Sequence, residues 1–169
     1  MKMNYLSKRD AANLVKRLRR FSWGSLIGVE KPKKALKIEG EGFTLYKLEN
    51  LLLCEKNEVI FPTVHEEYNA EILRDLPTII VDMGAVPHIV NGADVMRPGV
   101  REFRGKFKQG EILVVRDERN LKSLAITIAL KDLDECISLK KGKIAENLHH
   151  ANDKIWKFVQ ENRRLIKGS

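Results

Sequence analysis

Apolar residues recur at helical spacing near the start of the chain and then switch to strand spacing. Ala11, Leu14, Val15, Leu18 and Phe21 fall at i, i+3, i+4 and i+7, which makes one buried stripe on a single helix. Ser7 with Asp10 three residues later forms a capping-box pattern that opens this helix. Lys16, Arg17, Arg19 and Arg20 crowd its last turns, where cations complement the helix dipole, and Gly24 and Gly28 close the element. Four short alternating bursts follow at 35–38, 43–48, 51–54 and 59–61, separated by Gly40, Gly42, Asn50 and Asn57. That rhythm predicts an antiparallel meander. Thr63 and Glu66 repeat the capping-box pattern, Val64, Tyr68, Ile72 and Leu73 supply a second helical stripe, and Leu76-Pro77 ends it.

After Pro77 the texture changes. Residues 78–81 read as a strand, Gly84 as a turn or bulge, and 86–90 as a continued extended segment leading to Asn91-Gly92. Residues 93–96 read as a helical turn stopped by Pro98-Gly99, and 111–115 and 122–130 as strands joined by a polar turn at 117–120. Many short strands with Gly and Asn turns predict a small barrel. The end is ambiguous by periodicity. Ile144, Leu148, Ala151, Ile155 and Phe158 suit one long helix, whereas 143–150 also reads as a strand ahead of a helix at 152–166. The boundary falls at Pro77, between an N-terminal α+β domain at 1–76 and a C-terminal unit at 77–169.

Charge adds a direction to this picture. The 169 residues carry a net charge of +8, but unevenly. Residues 1–37 hold eleven Lys and Arg against Asp10 and Glu30, residues 38–76 are acidic, and the remainder is basic again. A positive face suits a polyanion, while a surface rich in both Lys and Glu also fits proteins of hot environments. The apolar runs are far shorter than the roughly 20 residues of a membrane span, and the N-terminus has no apolar signal core. Cys54 and Cys136 stand apart with no CxxC pair, so they read as reduced, buried thiols of a cytoplasmic protein.

The stretch Gly92-Ala93-Asp94-Val95-Met96-Arg97-Pro98-Gly99-Val100 is the most informative one. Glycines let backbone approach a ligand closely, and Arg97, Arg101, Arg104, Lys106 and Lys108 follow, interleaved with Phe103 and Phe107. Arginine forks onto phosphate, and an exposed aromatic ring stacks on an unpaired base. The same residues also suit a structural turn with a solvated basic loop and two core phenylalanines. Gly99 to Phe107 is one residue too long for a phosphate loop, and Phe107 stands where Ser or Thr would hold magnesium, which argues against an NTPase. His149-His150, with His65 and His88 elsewhere, are poorly spaced for a metal and fit RNA contact better. Acid pairs such as Glu66-Glu67 sit in charge-rich helical segments as solvated faces. With no nucleophile motif in context, no enzyme activity, cofactor or metal is expected. The basic first helix with Phe21 and Trp23 admits a lipid-surface reading, but a core-facing stripe with a solvated basic back explains it better, so no membrane partner is expected.

Val81-Asp82-Met83-Gly84-Ala85, followed by the stretch from Asn91 to Val100, resembles the first strand, short helix and loop of a PUA domain. Lys141-Gly142-Lys143-Ile144-Ala145-Glu146-Asn147-Leu148-His149-His150-Ala151-Asn152-Asp153-Lys154-Ile155-Trp156 is similar to that domain's closing strand and Asp-to-Trp finish. The resemblance implies a strand to about His150 and a helix beyond. The whole chain, including Glu58-Val59-Ile60-Phe61-Pro62-Thr63, resembles the malignant-T-cell-amplified-sequence family, although eukaryotic members carry Cys where Arg97 stands. It therefore implies an α+β chain: a small N-terminal α/β domain, then a PUA pseudobarrel with a terminal helix. It further implies a non-enzymatic RNA-binding protein that contacts tRNA or rRNA on the small ribosomal subunit during initiation, reinitiation or recycling, with an initiation-factor-like protein partner. A targeting subunit for an RNA-modification enzyme and a protein-interaction adaptor are the alternatives. The expected RNA contacts are Arg97, Pro98, Arg101, Arg104 and Lys106, backbone around Gly92, Ala93 and Gly99, and flanking Lys143 and His149.

Overall fold

The structure, a computed structural model, describes residues 1–168. Its N-terminal half is a five-stranded antiparallel meander in chain order: β1 (Lys2–Tyr5), β2 (Ala35–Glu39), β3 (Thr44–Leu48), β4 (Leu51–Lys56) and β5 (Val59–Pro62). Helix α1 (Lys8–Leu18) carries the expected stripe inward, with Ala11, Leu14, Val15 and Leu18 all buried. Ser7 caps it by accepting the Asp10 amide at 3.1 Å. The helix stops at Leu18, earlier than the glycines imply. Gly24 instead packs against that end, where a Cβ would lie 2.2 Å from the Leu18 carbonyl oxygen. The edge strand β1 was not expected from the sequence, although Met1, Met3 and Tyr5 alternate with Lys2 and Asn4.

Helix α2 (Glu66–Asp75) leaves β5 without the second capping box. Thr63 serves His65 and Asn69 instead, and Glu66 accepts a hydrogen bond from the Ser123 hydroxyl at 2.6 Å. Asn69 leaves helical geometry within α2, and its buried amide bonds both the N–H and the carbonyl of Leu52. That two-way bond fixes α2 against β4.

The C-terminal half is a curled six-stranded sheet of order β7-β11-β10-β9-β6-β8. Its strands are β6 (Thr78–Val81), β7 (Val95–Met96), β8 (Val100–Arg104), β9 (Ile112–Asp117), β10 (Ser123–Ala129) and β11 (Lys143–His150). The end strands β7 and β8 are joined by one 3-10 turn at Arg97–Gly99, so the sheet closes into a half-barrel with that turn at its seam. Two expectations are corrected here. Residues 86–90 are not extended, because Val86–Ile89 forms a short helix, α3, with Pro87 in its first turn, where a missing N–H costs nothing. Residues 93–96 are not a helical turn, because Val95–Met96 pairs with β11.

The alternation in β9 explains how the halves join. Leu113 and Val115 point into the barrel core, while Ile112 and Val114 join Ile126 in the cluster shared with the N-terminal sheet. A strand buried on both faces reads as a continuous apolar run. Beyond α4 (Leu133–Ser138) and β11, the helices α5 (Lys154–Glu161) and α6 (Arg163–Lys167) lay Ile155, Val159 and Ile166 on that same cluster. Phe158 meets Phe43 edge-on at 5.2 Å. The mixed α+β architecture and the strand-then-helix ending are both as the resemblance implied. Among the described residues, no helix is long and apolar enough to cross a membrane.

Candidate nucleic-acid interface

The seam turn is held by backbone on both sides. The Arg97 amide donates to the Gly142 carbonyl at 2.8 Å, and the Asp82 amide donates to the Gly99 carbonyl at 2.9 Å. Gly99 also lies against α3, since a Cβ there would meet the Ala85 methyl at 3.1 Å. Between α3, β7 and this turn lies a concavity of about 440 Å³, walled by Val81, Ala85, Ile89, Val95, Met96 and Pro98. Ala93 and Gly99 complete it, with His88, Asp82 and Asp94 at its edge. Met96 is 48% exposed there, which leaves part of the apolar wall open to solvent.

Both rim carboxylates already have structural partners. Asp82 accepts the Ala85 amide at 2.8 Å and so starts the turn into α3. Asp94 accepts from the Asn147 amide at 2.8 Å and pairs with Lys143 Nζ at 2.8 Å. Burial works to raise the Asp94 pKa, but those two bonds prevail and lower it, and the same contact raises that of Lys143.

The expected contact residues do not form one cluster. Ala93, Pro98 and Gly99 line the concavity, Arg97 lies in the seam turn and Lys143 reaches Asp94 of the lining, whereas Gly92 opens onto a neighbouring cleft beside His150. β8 then carries the chain away, because Val100 pairs beside Val81 whereas Arg104 stands opposite Thr78 at the far end of β6. Arg101 lies between, paired with Glu118 at 3.1 Å, and Arg104 and Lys106 reach the junction with α2. Arg97 is partly committed to the fold. Its Nε donates to the Cys136 carbonyl at 2.8 Å, and its guanidinium lies 5.3 Å from the centre of the Phe103 ring. Phe107 is in the barrel core, so stacking on a base is closed to it.

His149 is a correction. It is fully buried, because it stands opposite Ile126 and shares that residue's inward face toward the N-terminal sheet. Its Nε2 accepts the Val64 amide at 3.2 Å, and its Nδ1 donates to Asp153 at 2.8 Å. A surface-bound RNA does not reach it. His150 faces the other way and lies beside Gly92, where a Cβ would be 3.4 Å from its Nε2. Met96 and Asp82 are not among the expected contacts, and His88, expected on an extended segment, instead stands on α3 beside the concavity. Both cysteines are free and buried, and burial pushes both thiols up. Among the described residues, no three His, Cys, Asp or Glu side chains gather as a metal site would require.

The chain is similar to known proteins in sequence and in fold. The PUA domain pattern matches residues 77–151. An uncharacterized protein of Methanocaldococcus jannaschii is 31% identical over 162 residues, which is 93% of this chain and 96% of that protein. Translation machinery-associated protein 20 of Saccharomyces cerevisiae is 28% identical over 142 residues, 80% of this chain and 72% of that one. The crystal structure of a hypothetical protein from Pyrococcus horikoshii superposes with a TM-score of 0.75 at 31% identity, covering 93% of this chain and 99% of that chain.

Proposed function

This chain belongs to the family of PUA-domain proteins that includes translation machinery-associated protein 20 and the malignant T-cell-amplified sequence proteins, and from that premise we propose that it binds RNA in translation. The observation that carries this reading is the concavity at the seam, which has apolar walls, with Arg97 on the adjoining turn and Lys143 paired to Asp94 of its lining. An unpaired base is flat and apolar on its faces, and a pocket of about 440 Å³ lies in the size range of small-ligand sites. The exposed His88 ring is placed to stack on it. The Gly92 and Ala93 amides are already bonded to the Ile89 and His88 carbonyls, so the backbone there offers the base edge carbonyl acceptors. Pro98 and Met96 cover its face.

Arg97, Arg101 and Lys143 then hold the adjoining phosphates. Because Asp82 and Asp94 are already bonded, they repel a phosphate less than free carboxylates would. The RNA is tRNA or the rRNA of the small ribosomal subunit, engaged in the cytoplasm during initiation, reinitiation or recycling. An initiation-factor-like protein is the expected partner. The protein acts by binding alone, without catalysis. Ultraviolet crosslinking in cells, followed by sequencing of the bound RNA and mapping of the crosslinked peptide, tests this. The expected result is tRNA or small-subunit rRNA joined to residues 85–101. Crosslinks confined to other surfaces, or none above background, would contradict it.

A further inference from the structure

A second cationic cleft, of about 780 Å³, lies where the two halves of the molecule meet. Four cations line it, Arg74 from the end of α2, Arg104 from the end of β8, Lys106 just beyond and Arg116 from β9, against two carboxylates, Glu66 and Asp75. Their convergence has a local cause. Gly105 adopts φ +82°, and a Cβ there would lie 3.3 Å from the Pro77 Cα. The turn thus presses onto the start of the barrel and sets Arg104 and Lys106 beside α2. A side chain at 105 would be strained in that backbone and would push the turn outward.

The cations are available to an anion. Arg74 pairs only with the adjacent Asp75, at 3.4 Å and largely exposed, and Arg104 pairs with the half-exposed Glu102 on its own strand. Exposed pairs of this kind are weak and exchange readily. Lys106 has no ion-pair partner among the described residues. Arg116 is the fixed element, held by Glu66 at 3.2 Å and by the Leu121 carbonyl at 2.8 Å.

We propose that this cleft is a second phosphate-binding site, which takes the backbone of the same RNA strand whose base fills the concavity. The proposal rests on the RNA-binding reading above and extends it across the domain junction. The two sites are joined by β8, whose five residues span about 15 Å, with exposed Arg101 between them. That separation is longer than one nucleotide, so the cations form a track rather than a single subsite. The guanidinium forks of Arg74 and Arg104 suit carboxylate and phosphate alike. What favours an RNA strand over an acidic peptide is the continuation of the cations through exposed Arg101 along β8 toward the concavity.

The test uses the full chain and two random-sequence RNA probes, a trinucleotide and a twelve-nucleotide strand, with affinity read by fluorescence anisotropy. The variant is Arg74→Ala with Lys106→Ala, both exposed, and the charge-matched control is Lys31→Ala with Lys33→Ala. The variant is expected to bind the longer RNA about tenfold more weakly and to flatten its log-affinity slope on log-salt by about 1.4, two contacts at roughly 0.7 each. Trinucleotide binding stays unchanged. Equal affinity of variant and wild type for the longer strand overturns the proposal, as does an equal loss in the control or an equal loss for the trinucleotide. Polyglutamate bound by the wild type but not by the variant, with RNA affinity unaffected, assigns the cleft to an acidic protein and overturns it as well. Failure of the wild type to bind either RNA is a different result, because it overturns RNA binding itself.

Discussion

His149 Nδ1 lies 2.8 Å from Asp153 Oδ2, and this pair ties the last barrel strand to the first turn of the helix that covers the N-terminal sheet. The His149 ring stacks between Phe61 and His65, and His65 stacks on Trp156 at 4.6 Å. Four aromatic rings from β5, the approach to α2, β11 and α5 therefore form one buried column across the junction. The Val64 amide and Asp153 meet the two His149 nitrogens and the Thr63 hydroxyl meets His65 Nδ1, while His65 Nε2 is buried without a hydrogen-bond partner among the described residues.

Replacing Asp153 with Ala should destabilise the protein by about 2–4 kcal/mol. The carboxylate accepts from His149, from the His150 amide and, as the α5 cap, from the Trp156 amide at 2.8 Å. A lost cap costs about 1 kcal/mol and a lost bond to a charged group about 1.5–3 kcal/mol. Urea unfolding of the two proteins checks this, and an effect below about 0.5 kcal/mol would contradict it.

Stability should fall as the pH drops below about 6.5. Burial, followed by the neighbouring His149, lowers the His65 pKa from 6.5 to about 3. Between those values the unfolded chain takes up a proton that the folded chain refuses, so folding weakens by up to about 1.4 kcal/mol per pH unit. Burial opposes the bonds from His149 and two amides at Asp153, but the bonds prevail and hold it at about 2. Its contribution is therefore lost only below about 3.8. Urea midpoints at pH 7.5 and 5 read the first effect, and His65→Phe, which keeps the stack on Trp156, should flatten it.

Arg97→Ala should cost about 1–3 kcal/mol of stability, through the bond to Cys136 and the contact with Phe103. Arg97→Lys should recover little of this, because an ammonium does not reproduce the oriented Nε donor. A thermal melt unchanged in both variants would free Arg97 from any part in the fold.

Strong periodicity was readable where one face of an element is buried. The α1 stripe and the β2 to β5 meander are of that kind. Reading failed where elements are too short to show a period. β7 is two residues long, and α3 is one turn that opens with Val86-Pro87, so neither spans a repeat. The 143–158 segment was ambiguous because Ile144 and Ala145 face the barrel while Leu148, Ile155 and Phe158 face the other cluster. For the candidate site, the basic loop was visible as sequence. Its division into a seam and a junction was not, because it depends on Gly105 resting on Pro77. Arg74 and Arg116 carry no local signal at all. Adjacent histidines pointing opposite ways was foreseeable, but which of them faced inward depended on the register with β10.

The proposed boundary at Pro77 predicts that residues 77–168 fold without the rest. All six strands of the half-barrel and its inner core lie within that fragment. It should melt cooperatively but below the full chain, because Ile112, Val114, Ile126, Ile155 and Val159 lose the sheet that covers them. Absence of a cooperative melt would mean that the N-terminal sheet completes the barrel.

The most direct test of RNA binding is the affinity of the purified protein for unfractionated tRNA between about 50 and 200 mM salt. If Arg101, Arg104, Lys106 and Lys143 each meet a phosphate, log affinity should fall with log salt at a slope of about −3, near −0.7 per contact. Arg101→Gln with Lys143→Gln should weaken binding about tenfold with little change in the melt, since both side chains are more than half exposed and the neutral replacements set no like charge beside Glu118 or Asp94. An affinity indifferent to salt, or a variant that binds as the wild type does, would contradict RNA recognition at this face.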